Sequence, residues 1–410
     1  MKRAWCLLAV AICAVACGTR APGETHRATA RAVAGARASA TAGAVGELAR
    51  PPLGGSFLMD LTWISDQHGW ALFAAPCGRE LCPRLATTTD GGRTWTALPA
   101  PLGRVGPNGA AGCARLGCVS HVRFATATVG YLFGPALFQT NDGGGSWRRV
   151  PSRPVESLEP SAGTVVRLVY DHTGCPGPCN RTVQETTGGS ASWNTVLRIP
   201  AAAAAGGAAA QLVRQGTSVV YVLMYGHVAG GAGQAHTVIL RSADGGTTWQ
   251  QLADPCPGTG LDEHDTSGLA TAPGGFAAVL CPPRDPTGTT FVRTSTDNGS
   301  SWGPPHPVPG GTGDQLDLIA AASAAHLMLA TSGATGQGPA RYELLASTDG
   351  GLHWSTRVTG TVQLDPSAPG ATFLGFEDAR VGRWIGDARD IWTTGDAGHH
   401  WVRRAWGCCG

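Results

Sequence analysis

The residues with the right chemistry for a reaction are few and scattered. "LDEHD" at 261–265 sets three acids beside His264, between Cys256 and Cys281. Oxygen donors at that density suit a hard cation, or they form a solvated loop. Tyr342 and Glu343 are the types of a nucleophile and its base. Adjacent residues on a strand point to opposite faces, so these two do not converge on one atom. His399 and His400 run directly into Trp401 and are expected to face solvent. No Gly-rich phosphate loop leads from a strand into a helix, and no cofactor is expected. "GHVAGGAGQAH" (226–236) reads as a loop between strands. No catalytic residue is assigned.

The thirteen cysteines carry a different chemistry. Cys6 and Cys13 lie in an N-terminal apolar run, with Cys17 just after it. The other ten are near neighbours: Cys77/Cys82, Cys113/Cys118, Cys175/Cys179, Cys256/Cys281 and Cys408/Cys409. Outside the cytoplasm such pairs favour disulfides. A metal reading of "CGRELC" or "CPGPC" finds no histidine or second cysteine pair at finger spacing. The adjacent Cys408 and Cys409 stay open, because a vicinal bridge is strained.

Export is what the N-terminus suggests. Lys2 and Arg3 precede the apolar run Ala4 to Ala16, which is too short to span a bilayer and suits a signal peptide. The run ends "AVAC", which resembles a bacterial lipoprotein signal, with Cys17 as the lipidated residue. Ala14 stands where that signal usually has Leu. The resemblance implies removal of 1–16 and anchorage outside the cytoplasm through two acyl chains, the number needed for a stable anchor. Residues 17–54 are Ala, Arg and Thr with little to bury, and read as a flexible tether. Net charge is +2, so no basic field points to nucleic acid. Lys2 is the only lysine among thirty basic residues, a skew that fits a GC-rich bacterial genome.

What must position any site is a repeat. "TTTDGGRTW" ends at Trp95, "QTNDGGGSW" at Trp147, "RSADGGTTW" at Trp249, "TSTDNGSSW" at Trp302, "ASTDGGLHW" at Trp354 and "TTGDAGHHW" at Trp401. A weaker copy, "ETTGGSASW", ends at Trp193. Successive markers are 46 to 56 residues apart, a period of propeller blades or helical arrays. Within one copy, "HVRFATA", "GYLFG", "ALFQTND" and "SWRRV" are four strand-like runs between turns, which decides for strands. The expectation is an all-β, seven-bladed β-propeller of four-stranded antiparallel blades. The blades fall near 55–101, 102–152, 153–200, 201–253, 254–309, 310–361 and 362–406, with a tail at 407–410. "AAAAAGGAAA" (201–210) reads as a linker between the third and fourth. The Asp should accept backbone N–H bonds, the glycines should supply positive φ, and the Trp should cover the hairpin and space the blades. Truncating a well-buried marker Trp is expected to cost about 3–5 kcal/mol.

The pattern resembles the Asp box, or bacterial neuraminidase repeat. Six copies keep its Asp and second Gly: Asp90 with Gly92, Asp142 with Gly144, Asp244 with Gly246, Asp297 with Gly299, Asp349 with Gly351, and Asp396 with Gly398. The third has Gly188 and Ser190 instead. The box implies a fold, since it is structural in proteins that carry it. "LTWISDQHGWALF", "VRFATATVGYLFG" and "LGFEDARVGRWIG" are further similar to the photosystem II stability and assembly factor family of propellers, a likeness that covers the mature domain. The blade count, which fits that family, and the lack of any compact catalytic cluster point to a non-catalytic binding or assembly scaffold for an envelope protein or glycan. The alternative is a sialidase-like glycoside hydrolase or carbohydrate-binding propeller. "LRIP" at Leu197–Pro200 looks like the sialidase arginine motif, but there it precedes the first box and here it follows the third. Inner strands and the loops entering them are expected to carry the site, with Arg123, Arg167 and Trp63 as rim or channel candidates.

Overall fold

The structure is a computed structural model. It describes residues 56–78, 80–106, 117–161, 163–171, 179–201, 209–225, 237–257, 268–281, 289–309, 314–333, 340–362, 373–387 and 390–405. The chain divides into two units, Met1–Ala49 and Arg50–Gly410, and the described residues belong to the second. The expected signal and tether, Cys17, Cys113, Cys175, Cys408, Cys409, and the 226–236 and 261–265 segments lie outside the described residues.

Seven four-stranded antiparallel sheets follow one another along the chain, with no helix among the described residues. Blade 1 is β1–β4 (Phe57–Trp63, Gly69–Cys77, Glu80–Thr88, Thr96–Leu98). A short parallel pair, β5 (Arg104–Val105) and β6 (Cys118–Val119), precedes blade 2. Blade 2 is β7–β10 (His121–Phe124, Gly130–Phe133, Leu137–Thr140, Arg148–Arg149). Blade 3 is β11–β14 (Val155–Ser161, Thr164–Tyr170, Arg181–Thr187, Asn194–Ile199). Blade 4 is β15–β18 (Ala209–Gln215, Val219–Tyr225, Val238–Ser242, Gln250–Gln251). Blade 5 is β19–β22 (Leu269–Ala272, Phe276–Cys281, Phe291–Ser295, His306–Pro307). Blade 6 is β23–β26 (Asp314–Ala321, Leu327–Gly333, Ala340–Ser347, Ser355–Val362). Blade 7 is β27–β30 (Leu374–Phe376, Gly382–Asp387, Asp390–Thr394, Val402–Ala405). Ala209 and Ala210 thus belong to a strand and not to the expected linker.

The second strand of a blade is covered on both faces by neighbouring blades, so it reads as a continuous apolar run. "FAAVLC" in β20 is buried at every position. Seven apolar clusters result, one at each seam between blades. The seam that closes the ring joins Leu58, Leu61 and Phe73 of blade 1 to Ile385 and Ile391 of blade 7. Among the described residues each sheet comes from one continuous stretch, and the closing seam is made by packing without an exchanged strand. Arg383 adds to this seam, stacking over Trp63 at 4.3 Å and donating to the Asp66 carbonyl at 3.0 Å.

The Gly-aromatic motif of blades 1, 2 and 7 has a steric cause. Trp63, Phe124 and Phe376 lay their rings on Gly69, Gly130 and Gly382 of the facing strand. A Cβ on those glycines would meet the rings at 2.5, 2.5 and 2.7 Å.

The turn between third and fourth strands repeats one hydrogen-bond set. In blade 1, Thr88 Oγ1 donates to Asp90 Oδ1 at 2.8 Å and accepts from Gly92 N at 3.0 Å. Thr94 donates its N–H to Asp90 Oδ1 at 2.9 Å and its hydroxyl to Oδ2 at 2.7 Å. Asp142, Asp244 and Asp297 are gripped likewise by Ser146, Thr248 and Ser301. Bonds from that residue, four ahead of each Asp, lead in holding these four carboxyls down at about 2. In blades 6 and 7 an imidazole replaces the hydroxyl: His353 Nδ1 lies 2.7 Å from Asp349 Oδ2, and His400 Nδ1 2.6 Å from Asp396 Oδ2.

The residue after each of these six Asp donates its N–H to a carbonyl of the turn between the first two strands, as Gly91 does to Gln67 at 2.9 Å and Ala397 to Arg380 at 2.8 Å. That aim requires the left-handed conformation, which Asn298 (φ 58°) and Ala397 (φ 61°) adopt without being glycine. The marker tryptophans stand just before the outer strand, half-buried, each against the seam with the preceding blade. In blade 3, Gly188 takes the Asp position, and its own N–H reaches the Gly163 carbonyl at 2.7 Å. Ser190 Oγ there accepts from Ser192 N at 3.1 Å, and Arg167 stacks on Trp193 at 3.9 Å.

Candidate functional site

Strand direction sorts the connections onto two faces. The turns between strands one and two, and the Asp turns between strands three and four, share one face and are cross-bonded there. Hairpins between strands two and three, and the passages from blade to blade, share the other. Every disulfide-bonded cysteine among the described residues belongs to this second face. Cys77–Cys82 closes the β2–β3 hairpin, with sulfurs 2.00 Å apart. Cys256–Cys281 ties the passage into blade 5 to the end of β20. Cys118 and Cys179 are disulfide-bonded too, and their nearest neighbours in sequence, Cys113 and Cys175, lie outside the described residues.

Ion pairs reinforce this face. Arg104 pairs with Glu80, Arg153 with Asp171, and Arg403 with Asp390. Arg181 and Glu156 are almost buried, with Nε to Oε2 at 2.8 Å. Glu156 Oε1 also accepts from Ala210 N of blade 4 at 2.9 Å.

The innermost strands β1, β7, β11, β15, β19, β23 and β27 neighbour each other in series around the axis. Their inward edge leaves N–H groups that no strand pairs. Side chains of the preceding blade accept several of them. Asp60 Oδ2 takes Val122 N at 2.9 Å, Thr62 Oγ1 takes Phe124 N at 3.2 Å, and Gln211 Oε1 takes Leu269 N at 3.2 Å.

The densest charge lies on β1, β7 and β11. Arg123 Nη1 donates to Asp60 Oδ2 at 2.8 Å, and its Nε to Glu159 Oε1 at 3.3 Å. His121 Nδ1 is 3.4 Å from Asp60 Oδ2. Burial alone would raise the Asp60 carboxyl, but Arg123 and hydrogen bonds from His121 and Val122 outweigh it and hold it low. Burial wins at Glu159, which is pushed up despite Arg123. Two carboxyls on one guanidinium therefore titrate in opposite directions. Asp60 is wholly buried, whereas Glu159, Arg123 and His121 keep part of their side chains open. The arrangement can hold a ligand's polar groups and exchange a proton at Glu159.

The residues singled out from sequence scatter. Arg123 is in this cluster. Arg167 is on a second strand, buried at the seam of blades 2 and 3, with its Nε donating to Gln184 Oε1 at 2.9 Å. Trp63 lies at the closing seam. Arg198 of "LRIP" is exposed on the outermost strand β14, far in topology from the inner strands. Tyr342 is buried, edge-on to Trp384 at 5.6 Å, while Glu343 pairs with Arg341. Asp60, Glu159 and His121 escaped the sequence reading. The alternation in "MDLTW" was a signal for an inner strand, "VESLEPS" has no such alternation, and neither says which three blades pool their charges.

No protein-family model matches the chain and no curated protein is similar to it in sequence. Solved structures do match. YCF48 from Cyanidioschyzon merolae is 14% identical over 85% of this chain and 98% of its own, with TM-score 0.51. The GH74 xyloglucanase from Xanthomonas campestris is 16% identical over 84% of this chain, with TM-score 0.51, and this chain spans about half, 52%, of its length. YCF48 bound to D1 peptide is 16% identical over 86% of this chain and 92% of its own, with TM-score 0.47. At these identities the first two establish the propeller fold alone.

Proposed function

We propose that this chain is an exported, lipid-anchored propeller of the Asp-box type that acts as a non-catalytic scaffold, binding an envelope protein or glycan on its disulfide-bearing face. Cys17 would carry the lipid and residues 17–54 would hold the propeller off the membrane. The carrying observation is the division of labour between the faces. One is closed by hydrogen-bonded tight turns, and the other carries the disulfide-bonded cysteines and several ion pairs of the described residues. A connection fastened at its base loses less entropy on binding than a free one.

A photo-crosslinking side chain placed at Arg153 on that face, and at Leu352 on the Asp-turn face, tests this in the native envelope. Adducts from position 153 and none from 352 are expected. Equal yields, or adducts from 352 alone, would refute it.

A glycan-hydrolysing reading has one observation in its favour, the paired Asp60 and Glu159 with opposed shifts. Its test is hydrolysis of a glycoside panel by the parent and by Glu159→Gln. Turnover abolished by the substitution would replace the scaffold reading. The sialidase form of that reading has less support, because Arg198 is on an outer strand and Tyr342 and Glu343 face apart.

A further inference from the structure

The Asp-turn face has one feature that its turns do not require. His326 closes the turn between β23 and β24 in blade 6, and His399 sits in the turn between β29 and β30 in blade 7. Their rings meet across the seam with centroids 5.1 Å apart and planes at 73°. Both backbones are held. Ala322 N donates to the His326 carbonyl at 3.0 Å, and His399 N to the Asp396 carbonyl at 3.3 Å. Next to His399, Gly398 lies so close to Met328 that a Cβ there would meet its Cε at 2.0 Å.

Ser323 Oγ is 3.0 Å from His326 Nδ1. With that nitrogen engaged, Nε2 is the one left for another partner. An outer partner on one ring nitrogen is the usual arrangement of a metal-bound histidine. The separation also fits. Two imidazoles on one tetrahedral ion, with nitrogen–metal bonds of about 2.0–2.1 Å, have ring centroids about 5 Å apart. His399 is exposed, so its ring can turn to share the ion.

We propose that His326 and His399 form a two-nitrogen site for a divalent transition metal ion of the zinc, nickel or copper class, bridging blades 6 and 7. Imidazole suits these metals over calcium or magnesium. Among the described residues no group of three or more His, Cys, Asp or Glu is placed to hold a metal, so water completes the coordination. Burial, with the neighbouring His399, lowers the pKa of His326 and so favours the neutral imidazole. The groups around the pair are Ser323, Asp396 and His400, the last two already bonded to each other.

The test is calorimetric titration of metal-stripped protein with nickel chloride and with zinc chloride. The parent is compared with His326→Ala, His399→Ala and, as a control on the same face, His353→Ala. The expected result is one binding event, weakened at least tenfold in either of the first two variants and unchanged in the control. Nickel should also raise the melting temperature of the parent and the control, and of neither pair variant. Circular dichroism confirms that the variants fold. Identical isotherms in parent and pair variants would overturn the proposal, since any binding would then belong to other histidines. No heat up to millimolar metal would overturn it as well.

Discussion

Glu377 sits at the seam where the ring closes, and its protonation should tune the stability of the whole propeller. Its side chain is 7% exposed, and neither carboxyl oxygen has a hydrogen-bond partner. The nearest cation is Arg383, whose Nε lies 3.8 Å from Oε1, beyond hydrogen-bond reach, and makes no hydrogen bond itself, while its Nη2 donates to the Asp66 carbonyl and its guanidinium stacks on Trp63. Asp66 and Asp378 add negative potential. Burial dominates and pushes the carboxyl up to about 8, from an ordinary 4.5. At about 1.4 kcal/mol per unit, the displacement corresponds to about 5 kcal/mol. The sign follows from linkage. Below pH 4.5 both folded and unfolded chains hold the proton, and the contribution is complete. Between 4.5 and 8 only the folded chain holds it, so stability falls as pH rises, by about 1.4 kcal/mol per unit, and levels off above 8. Glu377→Gln keeps the shape and cannot ionise. Urea unfolding of parent and variant at half-unit steps from pH 5 to 9 reads the difference. The variant should gain on the parent by several kcal/mol across that range. Parallel profiles would show that Glu377 is ionised in the fold, paired with Arg383, and would refute the reasoning.

Four further outcomes follow from the turns and seams. Ala397→Gly should stabilise by about 1 kcal/mol, read from the urea midpoint, because Ala397 holds φ 61° without need of its methyl. Gly130→Ala should cost about 1–3 kcal/mol, since its Cβ would press on the Phe124 ring at 2.5 Å. Trp249→Ala should cost about 2–3 kcal/mol by the same assay. This is below the figure for a well-buried ring, because Trp249 is half-buried, though its Nε1 also donates to the Gly246 carbonyl at 2.9 Å. Asp244→Asn should flatten the acid limb of the stability profile. The depressed carboxyl contributes stability above pH 3.8 that is lost as pH falls towards 2, and the amide has no such dependence.

Much of this fold was legible because its signals are local. An Asp turn is held within nine residues, so Asp90, Thr88 and Thr94 announce themselves in one short string. The Gly-aromatic motif is local in the same way, Gly69 lying opposite Trp63 across a hairpin. The inner-strand cluster is different. Asp60 and Glu159 meet at Arg123 from sequence separations of 63 and 36. Nothing within β1 or β11 marks either acid as more than one polar position in a strand. Tyr342 and Glu343 are the converse case, since adjacency in a strand puts them on opposite faces and the sequence alone separates them.

The closing seam sharpens the point, because it is where the ring depends on residues from opposite ends of the sequence. Every other seam joins blades that are consecutive in the chain and covalently linked. Among the described residues, the seam of blades 1 and 7 has no such link and no exchanged strand. What it has is a small apolar cluster, the Arg383–Trp63 stack, and Glu377 buried beside them. A carboxyl without hydrogen bonds is costly in any core when charged, and here it sits where that cost acts on ring closure itself. If the Glu377→Gln profile behaves as derived, opening should begin at this seam. Amide exchange in β1 and β28 should then quicken from pH 6 to 9 beyond the intrinsic pH effect in the parent, and not in the variant. Exchange that quickens first at another seam would place the weak point elsewhere and separate closure from the titration of Glu377.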